Sequence, residues 1–382
     1  MPRDSLFGET ILWSGSPRDT SVSPVARVII AVSAALAAVS LAFAVVLSTA
    51  LHFAPSGLLL FAGWCSALGL LAYCAPRLWR SGVEYAVTDR HVIWRRGPIR
   101  RSIDRDSISY ARIRWSPTAV GVGDLVLVRA VPTGALRRTL SLTLSDVVAP
   151  DRVWAIARGI APSAALGDGE RPLPQRLDEG ERVVWSGTPV LAPWTSRRLV
   201  TATIALAVGL AAARSAGRVI PPLRRLAHLH ALPGWSFALF VCAVVVSVLF
   251  VAAVAGSVGY LACVRPSRLA RATRYLVTNR RVLIRRGREE LSLDRTRIAD
   301  VIASPTPRAL REGGVPSPGG APLVDLFLVL DGPHARAFAS SGAFREGEGD
   351  ALVPVLAAIE DSETVDAILR GAVLGAPMAT AA

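Results

Sequence analysis

Two stretches of this chain nearly spell each other. Tyr85 to Gly97 reads YAVTDRHVIWRRG and Tyr275 to Gly287 reads YLVTNRRVLIRRG, while earlier in each half GETILWSGSP (Gly8 to Pro17) is answered by GERVVWSGTP (Gly180 to Pro189). The earlier pair is offset by 172 positions (13 to 185) and the later by 190 (85 to 275), so the second half carries 18 more residues between its blocks. In both halves a long apolar stretch separates the blocks. A tandem duplication with one internal insertion is the economical account, and it makes the chain a two-module membrane protein.

Composition agrees. A chain of 382 residues with 52% hydrophobic and 19% charged residues and a mean hydropathy of +0.42 is too apolar for an ordinary soluble protein, whose surface needs more charge. The net charge of +14 is carried by arginine alone, since no lysine occurs. Val28 to Ala50 and Gly57 to Ala75 are uncharged, each about the ~20 residues a helix needs to cross ~30 Å of hydrocarbon. Pro55 and Ser56 in the short connector predict a tight helical hairpin. Leu199 to Ala213, bounded by Arg198 and Arg214, and Trp235 to Val264 supply a third and fourth span, the third being the shortest. Arg214 would have to snorkel to the headgroups.

The first apolar run starts too late and runs too long for the h-region of a cleaved signal peptide. Arginines stand before the first span (Arg18, Arg27), after the second (Arg77, Arg80), before the third (Arg197, Arg198) and after the fourth (Arg265, Arg268, Arg271, Arg274). That bias puts both termini and both soluble domains in the cytoplasm. The insertion from Arg214 to Gly234, with four arginines, runs against the rule. An even number of spans per half still keeps the two soluble parts on one side.

After each hairpin the apolar period changes from helical to alternating. Short strands are expected around Tyr85, Val92, Ile103, Ile108 and Tyr110, then at Asp124 to Ala130 and Arg138 to Leu144, with a helix from Pro150 to Arg158, capped by Asp151 and stopped by Gly159. The second half repeats this at Arg281 to Arg286, Glu290 to Asp294, Ile298 to Ala303 and Leu323 to Leu330, with a closing helix at about Asp350 to Glu360 and a continuation after Asp361 left open. Short antiparallel strands ended by one helix predict a small barrel or curled sheet capped by a helix, in an α+β membrane protein.

These residues resemble the bacterial pleckstrin-homology-like domain family in its membrane-flanked form, here doubled. The resemblance rests on Trp13, Gly15, Pro17, Tyr85, Val87, Thr88, Asp89, Arg90 and Gly97, and on Trp185, Gly187, Pro189, Tyr275, Val277, Thr278, Asn279, Arg280 and Gly287. The family's Gly-x-Gly-Asp is similar to Gly121 to Asp124, from which the second half departs with a Gly/Pro-rich loop from Glu312 to Pro322. The resemblance implies a helical hairpin (24–80) and a pleckstrin-homology-like domain (81–162) after an N-terminal segment (1–23). It then implies a linker (163–194), a second hairpin (195–265), a second such domain (266–375) and a tail (376–382). It implies fold and location better than function.

The Thr-Asp/Asn-Arg triplets read first as β-turns in which Asp89 or Asn279 bonds its own backbone. Their functional reading is a basic rim of Arg90, Arg95 and Arg96 with Arg280, Arg281, Arg285 and Arg286, facing anionic lipid heads or an acidic protein. Trp13, Trp79, Trp185, Trp194 and Trp235 flank spans as interface residues. Cys65, Cys74, Cys242 and Cys263 lie in or beside apolar runs without metal or redox spacing, and His228 and His230 are too isolated for a metal site. No P-loop, GxSxG or HExxH motif occurs, and the spans hold no acidic residue for ion coupling. The expectation is therefore a non-enzymatic platform for lipids or an unidentified protein partner, without cofactor, metal or nucleic acid, its oligomeric state left open. The alternative is a structural subunit of an envelope or secretion complex acting through its spans, and an enzyme or transporter is a third.

Overall fold

The structure is a computed structural model and describes residues 8–18, 24–50, 56–129, 140–190, 196–228, 251–305, 323–330 and 352–371. It is an α+β chain. Helices α1 (Pro24–Ala50) and α2 (Ser56–Arg80) each hold a stretch long and apolar enough to cross a membrane. They run antiparallel in contact, so that a Cβ on Gly69 late in α2 would lie 3.3 Å from Ser33 early in α1. Their shared face is made of small residues: Ala26, Ser33, Ala37, Ser40 and Ala44 on α1, Ala62 and Cys65 on α2. Their large side chains point outward, Trp64 at 75% exposure and Leu60, Leu70, Leu71 and Leu78 all above 60%. A water-soluble core is built the other way round; small residues inside and large apolar ones outside is the packing of helices in lipid. Ser40, Ser48 and Thr49 return their hydroxyls to carbonyls of the same helix, so these three donors need no water.

The strands are paired across these helices. β1 (Ile11–Gly15) lies antiparallel to β2 (Val83–Thr88), with Trp13 opposite Val87, although the whole helical hairpin stands between them in sequence. β2 continues as a meander through β3 (His91–Arg96) and β4 (Ile99–Asp104), completing a four-stranded sheet. β5 (Tyr110–Trp115), β6 (Val122–Arg129) and β7 (Leu140–Val148) follow, then α3 (Pro150–Ala157).

The second half opens the same way. β8 (Val183–Gly187) pairs with β9 (Thr273–Thr278) across helix α4 (Ser196–His228) and the helical residues 251–271, which include a π turn at Tyr260–Val264 and end in α5 (Arg265–Arg271). β10 (Arg281–Arg286) and β11 (Glu289–Asp294) extend the meander. β12 (Ile298–Pro305), β13 (Val324–Leu330) and β14 (Val355–Ile359) form a three-stranded sheet before α6 (Ser362–Leu369). Gly97 and Gly287, at φ +52° and +62°, provide the left-handed residue of the two-residue turns β3–β4 and β10–β11.

The halves are joined by strand pairing. β11 lies beside β5, Glu289 opposite Arg114 and Ser292 opposite Ala111, which gives one seven-stranded sheet in the order β7-β6-β5-β11-β10-β9-β8. Two apolar cores flank this seam. One gathers Val87, Val92, Ile113, Leu125, Leu127, Leu144 and Trp154, the other Val277, Val282, Ile284, Leu291, Leu326, Leu328 and Leu356.

Two expectations are corrected. The closing helix placed at about Asp350 to Glu360 is strand β14 over Val355–Ile359, and only the continuation left open past Asp361 is helical, at Ser362–Leu369. The run VLAAI is too short for periodicity to choose, and pairing with β13 decides it. Asp151 does not cap α3. Ala149 holds that position in left-handed backbone, and the Asp151 carboxylate reaches the Gly167 amide and Arg176 instead. The third expected span falls in α4, whose apolar stretch Leu199–Ser215 is shorter than those of α1 and α2. Residues 235–250 of the fourth, His230, Cys242 and the loop 312–322 lie outside the described residues.

Candidate functional site

The repeated motifs resolve into two matching sets of contacts. Thr88 closes its turn by accepting from the His91 amide at 2.8 Å and donates to Glu9 Oε2 at 2.7 Å, while His91 Nδ1 meets Glu9 Oε1 at 2.9 Å. At the matching positions Thr278 accepts from the Arg281 amide at 2.9 Å and donates to Glu181 at 2.6 Å, and Arg281 Nε donates to Glu181 at 2.9 Å. So the turn is made by the threonine hydroxyl, a short side-chain acceptor three residues ahead of the amide, and not by Asp89 or Asn279. The Asn279 side chain accepts instead from the Arg182 amide, tying the turn to the segment before β8. The Thr88 hydroxyl above all, with the His91 pairing, holds the Glu9 carboxyl below the usual carboxylate range. For Glu181 burial acts upward, but hydrogen bonds and charge from Arg281 outweigh it and the net direction is down.

Four further pairs are structural. Trp13 and Trp185 fold their indoles over the glycine two residues on; a Cβ at Gly15 would come within 2.7 Å of the ring and one at Gly187 within 2.4 Å. Tyr85 donates to the Ser145 carbonyl and accepts the Ser145 amide, as Tyr275 does at Ala357, and burial pushes both phenols up to about 12. Next to these lie Asp146 and Ala358, both at φ +52°, with their amides held by Asp124 and Asp325. Asp325 is therefore the second half's counterpart of the GVGD aspartate. Arg105 and Arg295 donate both to carbonyls of the threonine turn and to the last carbonyls of α3 and α6, Ala157 and Ile156 in one case and Ile368 in the other. They cap helix ends whose carbonyls have no partner within the helix. The recurring Asp-Arg at 104–105 and 294–295 is the sequence signal that marks them.

The seam holds the buried charges. Segment 160–182 folds over it, burying Leu166, Leu173, Arg176, Asp178 and Glu181. Arg176 bonds Glu290 of β11 and reaches Asp151 of α3, while Arg158 pairs with Asp178 and with Asp294 at 3.2 Å. Trp154 Nε1 donates to Ser292 at 3.1 Å, so α3 of the first half is seated on β11 of the second. A cavity of about 30 Å³ among Trp154, Arg176, Arg281 and Glu290 has room for water but not for an organic ligand.

The seven arginines proposed as one rim do not form one. Arg90 and Arg280 are exposed beside the threonine turns. Arg95 and Arg96 lie at the other end of β3, roughly 20 Å of six-residue strand away. Arg96 is fastened to the end of α2, donating to the Leu78 carbonyl at 3.3 Å and stacking 4.2 Å over Trp79. Arg281 is no rim residue at all: it is buried against Glu181 and Asp178. Arg285 donates to the carbonyls of Gly169 and Arg171, and Arg286 pairs with Glu289 at 3.1 Å. Sequence reasoning missed Arg100 and Arg101, exposed on β4 beside Arg95. No protein-family model, curated protein or solved structure matches the chain.

Proposed function

We propose that the chain is a non-enzymatic integral membrane protein in which a tandem duplication has set two pleckstrin-homology-like units, fused edge to edge, under the inner leaflet as a platform for protein partners or lipids. The carrying observation is that β1 pairs with β2, and β8 with β9, across apolar helices, and that β11 then joins β5. A hydrogen-bonded sheet cannot straddle hydrocarbon, where exposed backbone groups stay unsatisfied. Each helical insertion must therefore return to the side it left, which supports an even number of spans in each half and four in all. Small residues recur where α4 meets the later helix: Ala205 and Ala255 are buried, and a Cβ on Gly259 would lie 3.9 Å from Ala205. Arg27 and Arg77 at one end of the first hairpin, with Arg265, Arg268 and Arg271 on α5, favour the cytoplasmic side.

On this arrangement the threonine turns, with Arg90 and Arg280, face away from the bilayer, where a cytosolic protein would meet them. The test is extraction from native membrane into lipid nanodiscs and quantitative identification of what comes along, against Arg90→Glu with Arg280→Glu. Enrichment of a particular protein, lost in the variant without loss of membrane insertion, is the expected result. Recovery that survives this variant but disappears when α1 and α2 are exchanged for an unrelated hydrophobic hairpin would favour the structural-subunit reading.

A further inference from the structure

We infer that the β3–β4 turn of the first half is a contact for anionic phospholipid in the protein's own bilayer, and that the matching β10–β11 turn of the second half is not. The inference rests on the membrane reading above and adds to it a place and an asymmetry. Position comes first. Arg96 ties the turn to the last residues of α2 through Leu78 and Trp79, themselves 68% and 64% exposed, so the turn stands where that helix would leave the hydrocarbon. An indole and a leucine at such a level are the residues that settle at an interface.

Charge comes second. Residues 95–101 hold four arginines and no acid. Among the described residues none of Arg95, Arg96, Arg100 and Arg101 makes an ion pair; Glu84 stands opposite Arg95 in the register without bonding it. Arg95 uses its Nε on the Gly97 carbonyl, and Arg101 lies over the Trp94 ring at 5.8 Å. Beside them Ile99 is 53% exposed, an apolar side chain among guanidiniums that no carboxylate of the described residues pairs. That combination suits a phosphate-covered surface with acyl chains beneath, and the surface is already adjacent.

The second half shows the same turn put to another use. Residues 285–291 carry three arginines and two glutamates. Glu289 takes Arg114 and Arg286, Glu290 takes Arg176, and Arg285 is spent on backbone carbonyls of segment 160–182. Of the three arginines only Arg288 is left exposed and without an ion pair among the described residues, against four unpaired by any carboxylate on the first turn.

The experiment is hydrogen–deuterium exchange on the full-length protein in nanodiscs of phosphatidylcholine alone or mixed with phosphatidylglycerol. With the anionic lipid, exchange in the segment around 95–101 should slow, roughly fivefold for each arginine engaged, and recover on raising salt. The segment around 285–291 should not change. In Arg95→Gln with Arg100→Gln and Arg101→Gln, all exposed side chains, the lipid effect should vanish while the rest of the exchange map stays as it was. Equal exchange in the two lipids overturns the inference, and so does equal slowing of both turns. Free glycerol phosphate added to the phosphatidylcholine discs should have no effect; protection by it would replace the bilayer surface with a soluble phosphate ligand. Release of the protein from membranes by alkaline carbonate would instead sink the membrane reading itself.

Discussion

Strands β4 and β11 hold the same place in their halves, third in a meander and entered by the same glycine turn, yet β4 ends its sheet and β11 lies in the middle of one. The difference is carried by a few side chains. Where β11 has Glu289, Glu290 and Leu291, β4 has Ile99, Arg100 and Arg101. The glutamates meet Arg114 and Arg176, and Leu291 is fully buried. On β4 a run of arginines blunts the edge, since a second strand would have to bring acids to meet them. Of two strands in matching positions, one is thus an interface and the other an exposed basic surface. What separates pairing from exposure is the availability of opposite charge and not the backbone, which both strands share.

The contrast can be broken most severely at Glu290. Glu290→Ala leaves the buried Arg176 with Asp151, 3.5 Å away, as its remaining carboxylate and should cost about 3 kcal/mol, whereas Arg100→Ala at the matching position should stay within about 0.5 kcal/mol; thermal unfolding of the purified protein reads both. Next come the tryptophan–glycine pairs. Gly187→Ala and Gly15→Ala each force a Cβ against an indole and should cost about 1–3 kcal/mol, the second half losing more because its approach is closer. A smaller effect of opposite sign is expected at the left-handed positions. Ala358→Gly relieves backbone strain and should gain about 1 kcal/mol, while Asp146→Gly gains less because it gives up the 2.7 Å pair with Arg80; calorimetry of the two side by side checks this.

The smallest difference concerns acid. Both Glu9 and Glu181 have carboxyls lowered in the folded protein, so each contributes stability that is present above the ordinary carboxylate range and lost as pH falls through its lowered value. Glu181 faces a buried, permanently charged Arg281, and Glu9 a half-buried histidine. Glu181→Gln should therefore flatten the acid limb of a stability–pH curve more than Glu9→Gln does. Equal flattening would show that the two triads are equivalent despite the exchange of His91 for Arg281.

Much of this was legible in the sequence, and its limits have physical causes. The meander strands, α3 and the apolar hairpin are local, and alternation or uncharged length announces them. The pairing of β1 with β2 is not local; Trp13 meets Val87 across an entire helical hairpin, and only the presence of both motifs in both halves hinted that they belong together. β14 was misread because Val355 to Ile359 fits either period. The rim failed for a different reason. Arginines were taken as surface charge, but Arg281 is partnered by Glu181, which stands in the first repeated block, and the matching Glu9 and His91 repeat that geometry. An acid repeated in one block and a cation repeated in the other was the available signal. The seam left none, because it joins unlike parts of the two halves.

The central claim is that β5 and β11 join the two halves into one sheet, and cross-linking tests it most directly. In a background without the native cysteines, Arg114→Cys should be combined either with Glu289→Cys, its neighbour across the seam, or with Ile99→Cys, the position that corresponds to Glu289 in the first half. Mild oxidation in native membranes should give a rapid intramolecular disulfide with the first combination and none with the second. Cross-linking of both, or a product from the first combination that appears only between two chains, would contradict the account.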